Sequence, residues 1–397
     1  MSNKVATEDT LQKIAMLVGV IAGGGETSDW SALKKLVDAG YAKEMYPVGS
    51  QIVDPWEAAA GTSYDVPWDV AHYNEGGDMY LKWHYGIPTD IVFDQPEAIY
   101  FAPTGGLAAG QYYITIKTAY GNGWVKDKSI NFTLTADMDE GDQLVLSTAT
   151  NNANDPTDGM AWNVYAKGST TSKQNGTTSE GTTGTKLGET SATGVGYTNG
   201  NINAPQRVVY GYNRYSQSAI RQWLNSDAAA GSWWTAQNGW DRPPAQATTV
   251  RGFLAGASAE FLQIIKPVDV VTAINTVEGS AETYETTQDR IFLPSLQEMY
   301  IAPQLADTEG IDWDYYKELA EEADLPGKFQ QGQTYPILKT YRISSKASAV
   351  IARLRSAYRG YASSAWCVYA SGYVYNTGAG ACYAFSGSPA CIIKKSV

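Results

Sequence analysis

The sequence predicts an α+β protein built from more than one structural unit. At 397 residues the chain is longer than the ~100–200 residues of a typical domain. Some stretches alternate apolar and polar residues with period two, which predicts antiparallel strands, and others place a capping residue before apolar residues at helical spacing. Tyr (27) and Trp (12) outnumber Phe (8), and 39 Gly residues favour loops and turns between short elements.

Residues 1–87 are predicted to form a separate N-terminal region. One helix is clear in this region, with Ser28 or Asp29 as its N-cap and Gly40 as its terminator. Its buried stripe is expected to be Trp30, Leu33, Leu36 and Val37.

The rest of this region lacks helical spacing. Between Gln51 and Tyr85, aromatic residues stand among Pro and Gly, which predicts loops and short strands held by aromatic packing. The apolar run Ile14–Ala22 is far shorter than the ~20 residues of a membrane span. We therefore expect that the chain does not insert into a membrane. We also expect that it is synthesised in the cytoplasm.

Residues 88–165 are predicted to form a small all-β module, a sandwich or a meander. Period-two alternation marks strands at Gln111–Lys117, Ser129–Thr135 and Gln143–Ser147. The following residues 166–204 are nearly all Gly, Ser, Thr and Asn, and such a stretch buries too little apolar surface to offset its ordering entropy. We expect an exposed loop or linker there.

Residues 205–397 return to a globular composition and predict a second mixed domain. Ser216 is expected to cap one short helix and Ser258 another. Ile291–Leu293 predicts a short buried strand, and Trp313–Ala323 has the spacing of a third amphipathic helix.

The charge distribution narrows the choice of partners. A net charge of −12 makes nucleic acid a poor partner for the whole molecule. Residues 325–397 nevertheless hold nine of the 29 basic residues and none of the 41 acidic ones, so this tail carries +9 and the remainder −21. The tail mildly favours a negatively charged ligand. All three Cys residues also lie in it without the close pairing of a zinc site, so we expect no metal ion and no cofactor.

The most informative stretch is Ser356–Gly387. It holds six Tyr, seven Ala, five Ser and five Gly, but no Lys, Asp, Glu, Gln, Met or His. Apart from tyrosines and two thiols it offers no acid, base or nucleophile, so we predict no catalytic residues and no enzyme. Tyr among small adaptable residues is the chemistry of antibody paratopes, which predicts a set of binding loops. A Tyr-rich hairpin core is the alternative.

Nearly every residue of this segment can arise from an Asn codon by changing only its adenines, and Trp366 is the exception. Three motifs accompany the pattern, namely Ser363–Val368, Ser371–Val374 and Gly387–Ile393. In these features the chain resembles the C-type-lectin-fold variable proteins of diversity-generating retroelements, many of which are phage receptor-binding tail proteins. Three upstream stretches look like other parts of that domain: Ser218–Ser226, Gly252–Leu254 and Asp289–Glu298. The resemblance covers residues 205–397 and implies a C-type-lectin-like domain.

The resemblance implies a hypervariable, non-enzymatic adhesin in the virion, at a phage tail tip, that binds a host cell-surface protein or glycan. Mutagenic reverse transcription would rewrite the codons of the binding residues, while interleaved residues such as Trp366, Gly372 and Pro389 hold the fold. Residues 1–87 would then serve for attachment to the virion or for assembly. Contacts with other virion tail proteins and a homotrimer are also implied. The calcium-binding triplets of sugar-binding C-type lectins are missing, so calcium-dependent sugar recognition is not implied. The expected ligand-binding residues are Ala357, Tyr358, Gly360, Tyr361, Ala362, Ser364, Cys367, Tyr369, Tyr373, Tyr375, Asn376, Thr377, Gly378, Gly380, Ala381 and Cys382.

Two other functions stay open. A tailspike hydrolase that cleaves surface polysaccharide needs a carboxylate pair, for which Asp241, Glu298 and Asp312 are the candidates with aromatic residues nearby. A bacterial surface lectin of fixed specificity is the other, and it would need an export signal. For the adhesin, Arg359 is the one charged residue expected within a mostly neutral contact surface.

Overall fold

The structure, a computed structural model, describes most of the chain from residue 29 onward. The described residues are 29–95, 98–101, 106–118, 128–139, 144–148, 160–169, 172–177, 186–187, 212–237, 243–276, 280, 282–303, 305, 308–360, 364–375 and 379–396. They form short helices and mainly antiparallel strands, which confirms the predicted α+β class.

The helices and strands are short and alternate along the chain. The helices are α1 (Trp30–Ala39), α2 (Ala42–Met45), α3 (Ala219–Leu224), α4 (Ala259–Ile264) and α5 (Asp314–Glu322). The strands are β1 (Gln51–Ala59), β2 (Thr62–Tyr73), β3 (Met79–Trp83), β4 (Ile91–Val92), β5 (Ala98–Phe101), β6 (Gly110–Thr118), β7 (Lys128–Leu134), β8 (Leu144–Thr148), β9 (Met160–Ala166), β10 (Ser172–Thr177), β11 (Lys186–Leu187), β12 (Val268–Ala273), β13 (Tyr284–Asp289), β14 (Thr340–Tyr341), β15 (Ala349–Val350), β16 (Ala352–Ala357), β17 (Ser364–Val368), β18 (Ala379–Gly380), β19 (Ala384–Phe385) and β20 (Ala390–Ile393). Within the described ranges no helix is long and apolar enough to cross a membrane.

Helix α1 confirms the sequence prediction in its cap, its stripe and its end. The Asp29 carboxylate accepts a hydrogen bond from Ala32 N at 2.9 Å, and the four predicted apolar residues are all buried. Gly40 ends the helix at φ 79°, a left-handed conformation that favours glycine. Trp30 Nε1 donates to the buried Asp54 carboxylate at 2.8 Å, which fixes the helix against β1.

A four-stranded antiparallel sheet in the order β1, β2, β3, β20 joins the two ends of the described chain. Strands β3 and β20 pair with Leu81 opposite Cys391. One hydrophobic core contains residues from α1 and β1–β3 together with residues from α3 through β20. The predicted boundary at residue 87 is therefore wrong, because residues on both sides of it share a sheet and a core.

The stretch from Gln51 to Tyr85 forms two long strands, β1 and β2, that we did not expect, and one short strand, β3. Aromatic packing does hold it, since Trp56 and Trp68 each contact Trp83 edge to face, with ring centroids 5.4 and 6.0 Å apart. Trp56 also stacks on Phe253 at 5.3 Å. The aromatic side chains thus lie between a sheet and the segment that covers it.

The middle of the chain forms the predicted β module. The three predicted strands are confirmed as β6, β7 and β8, with ends shifted by one residue. The module has one sheet in the order β10, β9, β6, β7 and another in the order β11, β5, β8. Strands β10 and β11 lie within residues 166–204, so the expectation of a loop or linker is wrong for those strands. Ladder hydrogen bonds use the main chain, so a polar segment can still add an edge strand.

The β module is inserted into the core domain. Tyr212 N donates to Asp94 Oδ2 at 2.7 Å, so the chain leaves the core and returns to it at adjacent points. Ala219 N donates to Phe93 O at 2.7 Å and reinforces the same junction. The units were predicted to follow one another along the chain, but the β module is nested within the core domain. Residues 29–95 precede the module and residues 212–396 follow it.

The predicted helices of the C-terminal half are present with one corrected cap. Ser218 caps α3, whereas Ser216 donates to the Glu285 carboxylate at 2.6 Å. Ser258 caps α4 as predicted, and α5 matches the third predicted helix. Ile291–Leu293 is buried as predicted but is not a strand, and an isolated bridge joins it to β20.

Candidate ligand-binding surface

The segment Ser356–Gly387 is carried by a three-stranded antiparallel sheet in the order β16, β17, β18. After β17 the chain folds back on itself, and Tyr369 N donates to Tyr373 O at 2.9 Å. Val368 pairs with Val374, and both are buried. Because side chains alternate between faces along a strand, Tyr369, Tyr373 and Tyr375 lie on the face opposite the two valines.

These three residues form a tyrosine cluster. Ring centroids are 4.8 Å apart between Tyr369 and Tyr375, 6.2 Å between Tyr369 and Tyr373, and 6.1 Å between Tyr373 and Tyr375. All three side chains are half-buried. Burial, followed by the neighbouring Cys367 and Tyr375, raises the pKa of Tyr369 to about 12. The Tyr369 phenol is therefore uncharged at neutral pH.

A second segment, Gln330–Tyr335, borders the tyrosine cluster. Thr334 and Tyr373 form an antiparallel bridge. Two main-chain hydrogen bonds of 2.9 Å flank it, from Tyr335 N to Gly372 O and from Val374 N to Gln333 O. Flanking bonds of this kind define a non-hydrogen-bonded pair, whose side chains share one face with Cα atoms ~4.5 Å apart.

Gly372 makes this close approach possible. Its φ of 86° lies in the left-handed region, and an added Cβ would stand 2.1 Å from Tyr335 O. Any other residue would push the two segments apart.

Arg353 of β16 ties together three parts of the segment. Its guanidinium donates to the carbonyl oxygens of Ala365, Gly380 and Tyr383 at 3.1, 2.9 and 3.2 Å. It also stacks over the Phe385 ring at 4.6 Å. Arg353 is 1% exposed, so this cation serves the interior of the fold.

Asn213 closes the base of the loop that follows β16. Its side-chain amide donates to Ser364 O at 2.6 Å and to Tyr358 O at 3.3 Å, and it accepts from the Asn275 amide at 3.1 Å. Tyr358 N donates to Ser364 O at 2.9 Å across the same base. The two ends of this loop are thus held together by a residue about 150 positions earlier in the chain.

The last part of the segment rests on the junction of the β module. Phe93 N and Asp94 N donate to Ala381 O at 3.1 and 3.0 Å, and β19 pairs with β4. The insertion point of the module is therefore in direct contact with the predicted binding segment.

The structure sorts the predicted ligand-binding residues into three groups. Those half-buried at the surface are Tyr358, Gly360, Ser364, Tyr369, Tyr373 and Tyr375. Those buried in the fold are Ala357, Cys367, Gly380, Ala381 and Cys382. The remaining five lie outside the described residues: Tyr361, Ala362, Asn376, Thr377 and Gly378. The buried group is corrected from contact residues to packing residues, because close-packed strands and the Arg353 side chain require small neighbours there.

The cysteines offer no reactive thiolate. Burial raises the pKa of Cys367 to about 11 and that of Cys382 to about 12. Burial also raises the pKa of Cys391 well above its ordinary value. Across the described ranges, no group of three or more His, Cys, Asp and Glu residues is arranged to hold a metal ion.

Six of the nine cations of the basic tail are either buried or paired with a carboxylate. Arg353, Arg355 and Arg359 are only 1%, 1% and 2% exposed. Three further cations form ion pairs, namely Lys328 with Asp312, Arg342 with Asp90 and Lys394 with Asp78. Arg359 was expected in the contact surface, and this is wrong, because its guanidinium is buried and lies 6.0 Å from the centre of the Tyr284 ring.

Two of the three acidic candidates for a hydrolase are engaged in structural contacts. Glu298 forms a buried ion pair with Arg355 and accepts from Ser295 N at 2.9 Å. Asp312 pairs with Lys328. Asp241 lies outside the described residues.

Sequence reasoning missed Asn213, Arg353 and the segment Gln330–Tyr335. Asn213 and Arg353 donate hydrogen bonds to main-chain oxygens, which every residue type has. The side chains of the segment that they hold therefore do not indicate either partner. The segment Gln330–Tyr335 did carry a signal, since it joins amides, a threonine and a tyrosine without any charged residue.

Residues 191–395 match a protein family described as a domain of unknown function (DUF6273). The match spans more than half of the 397 residues, so the chain belongs to this family. The matched range contains the tyrosine cluster and β20 but not β1–β3, which complete the same sheet. No curated protein and no solved structure matches the chain significantly.

Proposed function

We propose that this protein is a receptor-binding adhesin of a phage tail, without enzymatic activity. Its C-terminal domain has a C-type-lectin-like fold, and its Ser356–Gly387 segment binds a host cell-surface ligand. A diversity-generating retroelement rewrites the segment by adenine mutagenesis. The protein resides in the virion, contacts other tail proteins and assembles as a homotrimer.

The proposal rests on how the Ser356–Gly387 segment is anchored to the rest of the fold. The bonds from Asn213, Arg353 and Tyr335 all end on main-chain oxygens of the segment. Main-chain atoms are the same for every residue type, so side chains at the loop tips can change while the anchors persist. A fold that tolerates replacement of its contact residues is what a diversified receptor-binding surface requires.

The residues expected to hold the fold support the same conclusion. Trp366 is fully buried beside Tyr358, with ring centroids 5.6 Å apart, and Pro389 is buried as well. Truncating a buried tryptophan costs ~3–5 kcal/mol, whereas exposed substitutions usually stay within ~0.5 kcal/mol. Diversification that spares Trp366, Gly372 and Pro389 therefore preserves a folded carrier.

The proposal is tested by binding of labelled full-length protein to a panel of bacterial strains, measured by flow cytometry. A variant with Tyr369, Tyr373 and Tyr375 all changed to Ala is compared with Tyr341→Ala, which removes an exposed tyrosine elsewhere (37% exposed). We expect the wild-type protein and Tyr341→Ala to stain the same strains and the triple variant to lose staining. Equal staining by the triple variant, or no staining of any strain, would contradict the proposal.

The virion location has its own test. Particles induced from the strain that carries the gene are purified by density gradient and analysed by mass spectrometry. The chain should co-purify with tail proteins, and particles that lack it would refute the virion assignment even if purified protein bound cells.

A further inference from the structure

We infer that the tyrosine cluster and the segment Gln330–Tyr335 form one surface for a neutral glycan, in which Gln330–Tyr335 is a constant half. This inference rests on the proposed function, because it names the ligand class and a second contact segment for the same surface.

Strand pairing places the two halves side by side. Thr334 and Tyr373 form the pair described above, so their side chains share the face of the tyrosine cluster. Thr334 is exposed. Within the described part of the chain its side chain takes part in no hydrogen bond, so the Thr334 hydroxyl is available to a ligand on this face.

The segment Gln330–Tyr335 stays in place whatever residues occupy the diversified positions. It lies outside Ser356–Gly387, and its bonds to Gly372 and Val374 join main-chain atoms. Residues a few positions earlier in the chain also hold Tyr335 in place. Its hydroxyl accepts a hydrogen bond from Gln330 N at 2.9 Å, and the centre of its ring lies 4.9 Å from that of Phe329. Diversification would therefore alter one half of the surface and leave the other constant.

The surface offers no charge. Neither residues 329–338 nor residues 364–385 contain Lys, Arg, His, Asp or Glu. Arg353, which shares a face of the sheet with Cys367, is 1% exposed and donates to three carbonyl oxygens. A ligand bound here needs no charge of its own.

Phenol rings and hydroxyls match the chemistry of an uncharged sugar. The ring faces are electronegative and attract the polarised C–H groups of a pyranose, while a protein hydroxyl both donates to and accepts from the hydroxyl groups of a sugar. Protein interfaces also enrich Tyr, but they add Met, Arg and a largely apolar centre, none of which the two segments supply. The large apolar side chains exposed in the described regions lie outside both segments, at Val53, Leu305, Ile311 and Tyr341. The surface therefore favours a neutral glycan over a protein.

The inference is tested with full-length protein on an array of bacterial glycans, neutral and acidic, printed beside surface-protein fractions. We expect retention on neutral glycans that persists in 1 M NaCl, where exposed charge attraction is screened within ~3 Å. Thr334→Ala and Tyr373→Ala should each weaken binding about 10-fold or more, as losses at the centre of an interface do. The matched controls Thr286→Ala and Tyr341→Ala, at exposed positions elsewhere, should bind as wild type.

The other outcomes separate this inference from the proposed function. Binding to neutral glycans that Thr334→Ala leaves unchanged would overturn the constant half. Binding only to acidic glycans, or only to surface protein, would overturn the ligand class while the adhesin proposal stands. Binding to nothing on the array overturns the inference, and the adhesin proposal is then decided by the cell-binding and particle measurements.

Discussion

Glu298→Gln is expected to destabilise the protein strongly without altering the tyrosine cluster. Glu298 is 4% exposed and Arg355 1% exposed, and both Glu298 oxygens accept from the guanidinium, one of them at 2.9 Å from Nη2. The substitution replaces one oxygen with an NH₂ group and removes the negative charge that is hydrogen-bonded to a buried cation, which leaves Glu309 as the remaining nearby carboxylate. Breaking a buried ion pair from one side costs ~3–5 kcal/mol.

Thermal and denaturant unfolding followed by tryptophan fluorescence measure this cost. For a domain of this size, ~1 kcal/mol shifts Tm by ~2–4 °C, so we expect a fall of ~6–20 °C. The double variant Glu298→Met/Arg355→Met removes both charges and should be more stable than Glu298→Gln, although the Arg355 bonds to the carbonyls of Leu293 and Glu309 are lost.

A matched control is the half-exposed pair of Lys317 with Asp314. Lys317→Met should change the free energy of unfolding by less than ~1 kcal/mol. If Glu298→Gln left stability within ~1 kcal/mol of wild type but abolished cleavage of a surface polysaccharide, Glu298 would be a catalytic carboxylate and the structural role argued for it would be wrong.

Three further predictions concern the organisation of the chain and its thiols. Residues 205–397 alone should remain unfolded by circular dichroism, because the sheet needs β1–β3; a cooperative transition in that fragment would contradict the shared core. Replacing residues 96–211 with a short Gly/Ser linker should leave the melting temperature of the remainder within a few degrees, since the junction residues are already hydrogen-bonded, and an insoluble product would count against a nested module. Cys367 should resist alkylation at pH 8 until the protein is unfolded. Because burial raises its pKa from 9.0 to about 11, the free energy of unfolding should fall as pH rises from 9 to 11. A Cys367→Ser variant that keeps the whole of this decline would show that the Cys367 thiol does not cause it.

The elements that the sequence predicted well are those specified locally. Helix α1 has its cap, stripe and terminator within twelve residues, and β6–β8 carry their own alternation. The strands between Gln51 and Tyr85 were missed because Pro55 and Pro67 favoured loops. In the sheet, Pro67 stands opposite Val53 and Pro55 opposite Asp65, so pairing over the rest of β1 and β2 outweighs the two missing N–H donors.

The sequence located a candidate binding segment, but it did not indicate which residues of that segment are buried. A tyrosine among small residues has the same local pattern in a loop as in a strand, and burial is decided by distant partners. Arg355 is buried because Glu298 reaches it from 57 residues away, and Cys367 is buried where it pairs with Arg353 of β16. Neither Glu298 nor Arg353 lies in the segment whose composition supported the prediction.

The most direct test of a diversified binding surface is to sequence the DNA around the gene. We predict a near-copy of the Ser356–Gly387 coding sequence beside a reverse-transcriptase gene. The gene and the copy should differ only at positions where the copy has adenine. Those differences should fall on Tyr358, Tyr361, Tyr369, Tyr373 and Tyr375, allow only small residues at Cys367 and Cys382, and spare Trp366, Gly372 and Pro389. If no such copy exists, or if differences occur at all four bases and at buried and exposed codons alike, the surface is not diversified and a lectin of fixed specificity becomes the better explanation.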